Sequence, residues 1–195
     1  MFALNLPNVL TLIRILLVPV LIVVLLGETD NGDLWAAIVF ALASATDAMD
    51  GYLARTRNAI TTFGKLMDPI ADKLLIIAAL VALVSLDRLA AWVAMVIIAR
   101  ELTVTVTRMH ATQQGVVIAA NLWGKAKTIV QVAAIFFLIA AGEPSPAWVD
   151  GLVYGMVVIT IVSGVDYFFG LRRVLREAEA RRAAAVAAAP AKPHT

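Results

Sequence analysis

Residues 34–86 read LWAAIVFALASATDAMDGYLARTRNAITTFGKLMDPIADKLLIIAALVALVSL. Two apolar runs, Leu34 to Thr46 and Leu74 to Leu86, flank a stretch crowded with charge. Asp47, Asp50 and Arg55 close the first run, and Asp68, Asp72 and Lys73 open the second. Neither run alternates with the period of a barrel strand, and both suit helices. Each has 13 residues, which at the helical rise is roughly 20 Å, about 10 Å less than a hydrocarbon core. Helices of this kind that cross a bilayer must carry their charged ends into its edge.

The same pattern continues along the chain. Arg100, Glu101 and Arg108 follow the apolar run Leu89 to Ala99, and Lys125 and Lys127 precede Thr128 to Ala141. In all, six candidate spans can be marked: Val9 to Leu26, Leu34 to about Arg55, about Asp68 to Leu86, Leu89 to Arg108, about Val116 to Ala141, and Ala147 to Leu171. Hydrophobic residues make up 62% of the 195, against roughly 45–50% in a soluble domain. Six spans would use nearly all of them. The expected fold class is therefore all-α: a polytopic membrane protein with six transmembrane helices and a cytoplasm-facing polar cavity. Residues 1–171 form the transmembrane domain, and 172–195 a basic, then Ala/Pro-rich cytoplasmic tail. That tail is helical at first through the i, i+4 pair Glu177 and Arg181, and disordered at its end.

The first run reads as a retained helix. Met1 to Asn8 holds no basic residue, Arg14 interrupts the run, and no small-residue cleavage pattern follows. The absence of cysteine excludes disulfides and thiolate chemistry, and His110 and His194 are too far apart for a histidine metal cluster. Any metal must be held mainly by oxygen.

Orientation follows from the basic residues. The connections Gly27 to Asp33, Asp87 to Arg88 and Gly142 to Asp150 contain one basic residue, Arg88, against six acids; the opposite face holds the other 15 basic residues and eight acids. By the positive-inside rule both termini are cytoplasmic. Trp35, Trp92, Trp123 and Trp148 fall near span boundaries, as an interfacial belt would.

Short aspartates cannot snorkel far to water. Four of them from two adjacent helices, opposed by basic residues from two others, imply a shared cavity open to the cytoplasm. Asp47, Asp50, Gly51 and Ala54 lie on one helical face, and Gly64, Asp68 and Asp72 are each one turn apart. Four close carboxylates repel unless cations intervene, and an all-oxygen set favours Mg²⁺ or Mn²⁺. Gly51, Ala54 and Gly64 leave room for a ligand against the backbone, and Arg55 suits a phosphate contact. A structural ion-pair network and close helix packing are the plainer readings of the same residues. Arg100, Arg108, Lys125 and Lys127 form the opposing basic group, whose plainer reading is topology and lipid-headgroup binding. Glu101 orients a neighbouring arginine, His110 is a loop residue rather than a catalyst, and Asp166 pairs with a basic residue at the helix-six interface.

Written as Asp47-x2-Asp50-Gly51-x2-Ala54-Arg55-x8-Gly64-x3-Asp68-x3-Asp72, the segment resembles the signature of the CDP-alcohol phosphotransferase family at every defined position. The resemblance implies a six-helix, usually homodimeric enzyme of the membrane that moves a phosphatidyl or similar group from a CDP-linked donor to an alcohol and releases CMP. It implies that Asp47, Asp50, Asp68 and Asp72 hold two divalent ions and that Gly51, Ala54, Arg55 and Gly64 meet the CDP donor. Asp72 would take the acceptor's proton, although sequence leaves base and ligand both open for it. Pro7-Asn8, Leu10-Thr11 and Arg14, Ala99-Arg100-Glu101 with Arg108, and Gly124-Lys125-Ala126-Lys127-Thr128 with Gln131 resemble the bacterial phosphatidylglycerophosphate synthases. That likeness implies CDP-diacylglycerol and sn-glycerol 3-phosphate as substrates, with the acceptor phosphate on Arg100, Arg108, Lys125 and Lys127. The location would be the bacterial cytoplasmic membrane, with the active site facing the cytoplasm and no nucleic-acid partner. Two alternatives stand beside it. Cardiolipin synthases using CDP-diacylglycerol share the Pro-Asn pattern and a Gly-Lys near helix five. A divalent cation transporter would use the aspartates as an ion path, but such sites favour the midplane between repeats, and no repeat is visible here.

Overall fold

The computed structural model describes residues 6–27, 29–57, 62–113 and 122–187. It is all-helical over these residues: α1 (Leu6–Leu26), α2 (Gly32–Arg57), α3 (Thr62–Ser85), α4 (Ala91–Gln113), α5 (Leu122–Ala141) and α6 (Ala147–Ala187). Val9–Leu26, Gly124–Ala141 and Ala147–Arg172 are each long and apolar enough to cross a membrane, whereas Gly32–Thr46 and Lys73–Ser85 are shorter apolar stretches. The difference arises where charge enters: α2 and α3 are interrupted on the sides where they approach each other in sequence. This is the architecture of a polytopic membrane protein.

Two boundaries depart from the sequence reading. α3 starts at Thr62, ahead of Asp68, so Gly64 and Asp68 lie within the helix. α5 is described from Leu122 onward, and its expected start near Val116 lies outside the described residues. α6 does not stop at Leu171 but runs unbroken for 41 residues. Its extension, LRRVLREAEARRAAAVA, is built from strong helix formers, so the helical start expected for the tail is continuous with the last span.

Packing closes the helices into a ring in the order α1, α2, α5, α6, α4, α3 and back to α1, with α3 also touching α2 and α5 across the interior. Small residues permit the closest approach. Ala36, Ala37 and Ala43 of α2 are buried around Phe40, and α1 places Val18, Leu21 and Leu25 into the same cluster. On α6, Val149, Val153, Met156, Thr160 and Ser163 make a buried stripe at helical spacing. The outward faces remain apolar: Val23, Met95 and Ile129 are about 70% exposed, which suits lipid and not water.

One end of the ring is clamped. Arg88, the single basic residue expected there, donates from Nη1 and Nη2 to the Asp33 carboxylate at 2.5 and 3.1 Å, joining the α3–α4 connection to the first turn of α2. Gly142, with φ of 65°, brings the α5–α6 connection against the same carboxylate; a Cβ there would lie 2.7 Å from Asp33 Oδ2. Trp35, Trp92 and Trp148 stand exposed beside this end, within the first turns of α2, α4 and α6, where a membrane interface would place them.

Candidate active site

The opposite halves of α2 and α3 carry the acidic signature. Both segments are helical, so Asp47 and Asp50 fall about one turn apart, as do Asp68 and Asp72. The side chains of Asp47, Asp50, Gly51, Ala54, Arg55, Gly64, Asp68 and Asp72 lie outside the described residues. Of the described residues next to them in sequence, Ser44, three residues before Asp47, and Lys73, directly after Asp72, both line one interior cavity.

That cavity has a volume of about 210 Å³, and among the described residues its lining comes from α1 to α5. Its described polar wall is Arg14, Ser44, Lys73, Glu101, Lys127, Thr128 and Gln131. Glu101 is the hub, only 2% exposed. Its Oε1 accepts from Lys127 Nζ and, at 3.1 Å, from Arg100 Nη1, while Oε2 meets Lys73 Nζ at 2.5 Å. One carboxylate thus gathers cations from three helices into one assembly. Buried charges of this kind persist only when paired and hydrogen-bonded.

Arg14, Lys73 and Lys127 bring three cationic side chains to the described wall beside Glu101. Gln131 is 98% buried, and among the described residues neither its Nε2 nor Ser44 Oγ has a hydrogen-bond partner. A buried amide donor left unmatched is costly. The wall therefore has the chemistry to receive an anion with several acceptor oxygens, and a phosphate monoester matches it in charge and size.

The four predicted basic residues are divided by the structure. Arg100 and Lys127 join at Glu101. Arg108 is exposed, its guanidinium carbon 5.8 Å from the centre of the Tyr167 ring, and Lys125 is exposed on α5. Glu101 orients Arg100 as expected but also holds two lysines from other helices. Sequence reasoning did not assign Arg14, Lys73 or Gln131 to the site. The signal for Arg14 was present: a fully buried arginine inside an apolar run is costly and by default functional. His110 lies in α4, not in a loop, because that helix runs on to Gln113.

Residues 4–165 match the CDP-alcohol phosphatidyltransferase family. The protein of Bacillus subtilis strain 168 named CDP-diacylglycerol--glycerol-3-phosphate 3-phosphatidyltransferase is 43% identical, with 84% of this chain and 93% of that protein covered. A protein of Mycobacterium tuberculosis H37Rv named probable phosphatidylglycerophosphate synthase is 40% identical, covering 89% of this chain and 83% of the relative. One from Rickettsia felis, carrying the same name as the Bacillus protein, is 36% identical over 84% of this chain and 93% of its own length. The unbroken aspartate signature, the two helices of the six-helix bundle that carry it and a match over nearly all of the membrane region agree: this chain belongs to the CDP-alcohol phosphatidyltransferase family.

Proposed function

We infer that this chain transfers the phosphatidyl group of CDP-diacylglycerol to sn-glycerol 3-phosphate, giving phosphatidylglycerophosphate and CMP. The observation that carries this reading is the buried cation-rich cavity next in sequence to the two aspartate pairs. A neutral alcohol would not need it, whereas an acceptor bearing a phosphate dianion does. The names of the relatives point to the same pair of substrates.

Enzymes of this family use divalent metal. The donor set here fits such an ion in kind, since Asp47, Asp50, Asp68 and Asp72 offer only oxygen and recur at one-turn spacing on two helices. These residues would hold Mg²⁺ or Mn²⁺, as two ions, which supply charge neutralisation at the donor pyrophosphate and a more electrophilic phosphorus. Gly51, Ala54, Arg55 and Gly64 would receive the CDP portion. Arg100 and Lys127, with Lys73 and Arg14, would hold the acceptor phosphate; Arg108 and Lys125, both exposed, would guide it inward. The acceptor hydroxyl oxygen then bonds to the phosphorus bearing diacylglycerol. The bond from that phosphorus to CMP breaks, CMP departs with the bridging oxygen, and the hydroxyl proton passes to Asp72. The enzyme works as a homodimer in the cytoplasmic membrane with six crossings, both termini and the active site on the cytoplasmic side, and a basic tail beyond residue 171.

CMP release by the purified protein tests this. Release should require CDP-diacylglycerol, glycerol 3-phosphate and divalent metal together, and a chelator should abolish it. Asp68→Asn should abolish turnover in a folded protein, and Asp72→Asn should do so with less loss of donor binding. Release with phosphatidylglycerol but not glycerol 3-phosphate would move the assignment to cardiolipin synthesis. Metal flux without CDP-lipid would point to transport.

A further inference from the structure

α6 contributes no described residue to the cavity wall, yet it stands directly behind the arginines. Ser163 is 3% exposed, and its hydroxyl proton is committed to the Thr160 carbonyl at 3.0 Å. Its oxygen is therefore left to accept, and Arg100 Nη2 donates to it at 3.1 Å. The other arm of the same guanidinium, Nη1, reaches Glu101 at 3.1 Å. A planar fork held at both prongs has little freedom left to turn. Beside it, a Cβ on Gly164 would sit 3.4 Å from Arg100 Cγ, so the aliphatic stem lies against bare α6 backbone. One turn further along α6, the Tyr167 ring lies beneath Arg108 at 5.8 Å, within range of a cation–π contact. Among the described residues Tyr167 Oη has no hydrogen-bond partner, and it is the ring that Arg108 lies over.

We propose that Ser163, Gly164 and Tyr167 form a positioning surface on α6 that aims Arg100 and Arg108 for capture of the acceptor phosphate. This rests on the transfer reaction inferred above and adds to it a helix that touches neither substrate. These three are positioning residues, not catalytic ones. Their contribution should appear in acceptor affinity, because the arginines they hold meet the acceptor, while the donor is met by the segments around Asp47 and Asp68.

The test compares KM for glycerol 3-phosphate and for CDP-diacylglycerol in the full-length protein and its variants, with melting temperature and elution profile as checks on folding. Ser163→Ala should raise the acceptor KM about three- to tenfold, the net value of one ordinary hydrogen bond, and leave the donor KM within about twofold. In an Arg100→Ala background the same change should add nothing, since Ser163 acts through that guanidinium. Tyr167→Leu should weaken the acceptor, and Tyr167→Phe, which keeps the ring, should behave as wild type. Unchanged acceptor KM in folded Ser163→Ala, equal loss for both substrates, or full additivity with Arg100→Ala would overturn the proposal while wild-type turnover leaves the parent reaction standing. If Ser163→Ala fails to fold, Tyr167→Leu with unchanged acceptor KM overturns it just as well. Wild-type protein inactive with glycerol 3-phosphate would overturn both.

Discussion

Glu101→Gln should destabilise the protein severely, although the change alters no shape. The carboxylate is 2% exposed and compensates Lys127, itself 3% exposed, together with Lys73 and Arg100. Removing one partner of a buried ion pair costs about 3–5 kcal/mol, because the other charge remains desolvated and unmatched. The lower half of that range fits better here, since Lys73 is 32% exposed and can turn toward water. For a chain of this length the full range corresponds to roughly 6–20 °C in melting temperature. The measurement is thermal unfolding in lipid nanodiscs at low and high salt, and burial predicts little response to salt. Glu101→Gln/Lys127→Met supplies the internal control. Deleting the stranded cation should recover much of the loss, whereas Lys127→Met alone leaves Glu101 with two partners and should cost less than Glu101→Gln. A melting temperature for Glu101→Gln within about 2 °C of wild type, or a double variant that merely adds the two single losses, would refute the claim that Glu101 is the electrostatic hub.

Lys127→Gln should lower kcat/KM for glycerol 3-phosphate about ten- to a hundredfold, while Lys125→Gln, at an exposed position, should lower it by less than about threefold; steady-state kinetics decide between them. At the clamped end, Asp33→Asn should cost roughly 1–2 kcal/mol of stability by weakening the Arg88 contact. Gly142→Ala should destabilise as well, since it combines positive φ with a 2.7 Å approach to Asp33; thermal unfolding reads both, and neither should shift either KM. A cysteine at Asn58 in the cysteine-free chain should resist an impermeant reagent outside intact cells, and labelling there would reverse the orientation.

Much of the fold was legible because apolar runs are punctuated by short polar connections, and helices of such composition have nowhere else to end. Leu26, Ala141 and Ala147 bound their helices where the sequence reading put them. The end of α6 was less legible because hydropathy marks where lipid stops, not where hydrogen bonding stops, and Ala, Arg and Glu continue a helix beyond the bilayer. In the site, the acidic pattern was readable from spacing alone. The basic half was readable as charge but not as geometry. Lys125 and Lys127 are two residues apart on α5, hence about 200° apart around the helix, and only one of them could face the interior. The partners of Glu101 lie on α3, α4 and α5, and no local pattern reports which side chains meet across three helices.

Helical rise turns these placements into a depth. From Trp35 to Ser44 and from Trp92 to Glu101 is nine residues, about 14 Å along the helix axis; Lys127 lies fourteen residues from the clamped end of α5, about 21 Å. Against a hydrocarbon core of about 30 Å, the polar wall therefore begins near the bilayer midplane and continues toward the opposite face. On the same scale Asp47 and Asp68 fall about 18 and 25 Å from the tryptophan end. The acyl chains of a diacylglycerol donor cannot leave hydrocarbon, and a glycerol phosphate dianion cannot enter it unaided. Reaction is possible only where a charged wall extends water-like solvation below the headgroups, which explains why the apolar runs of α2 and α3 stop short of a full crossing.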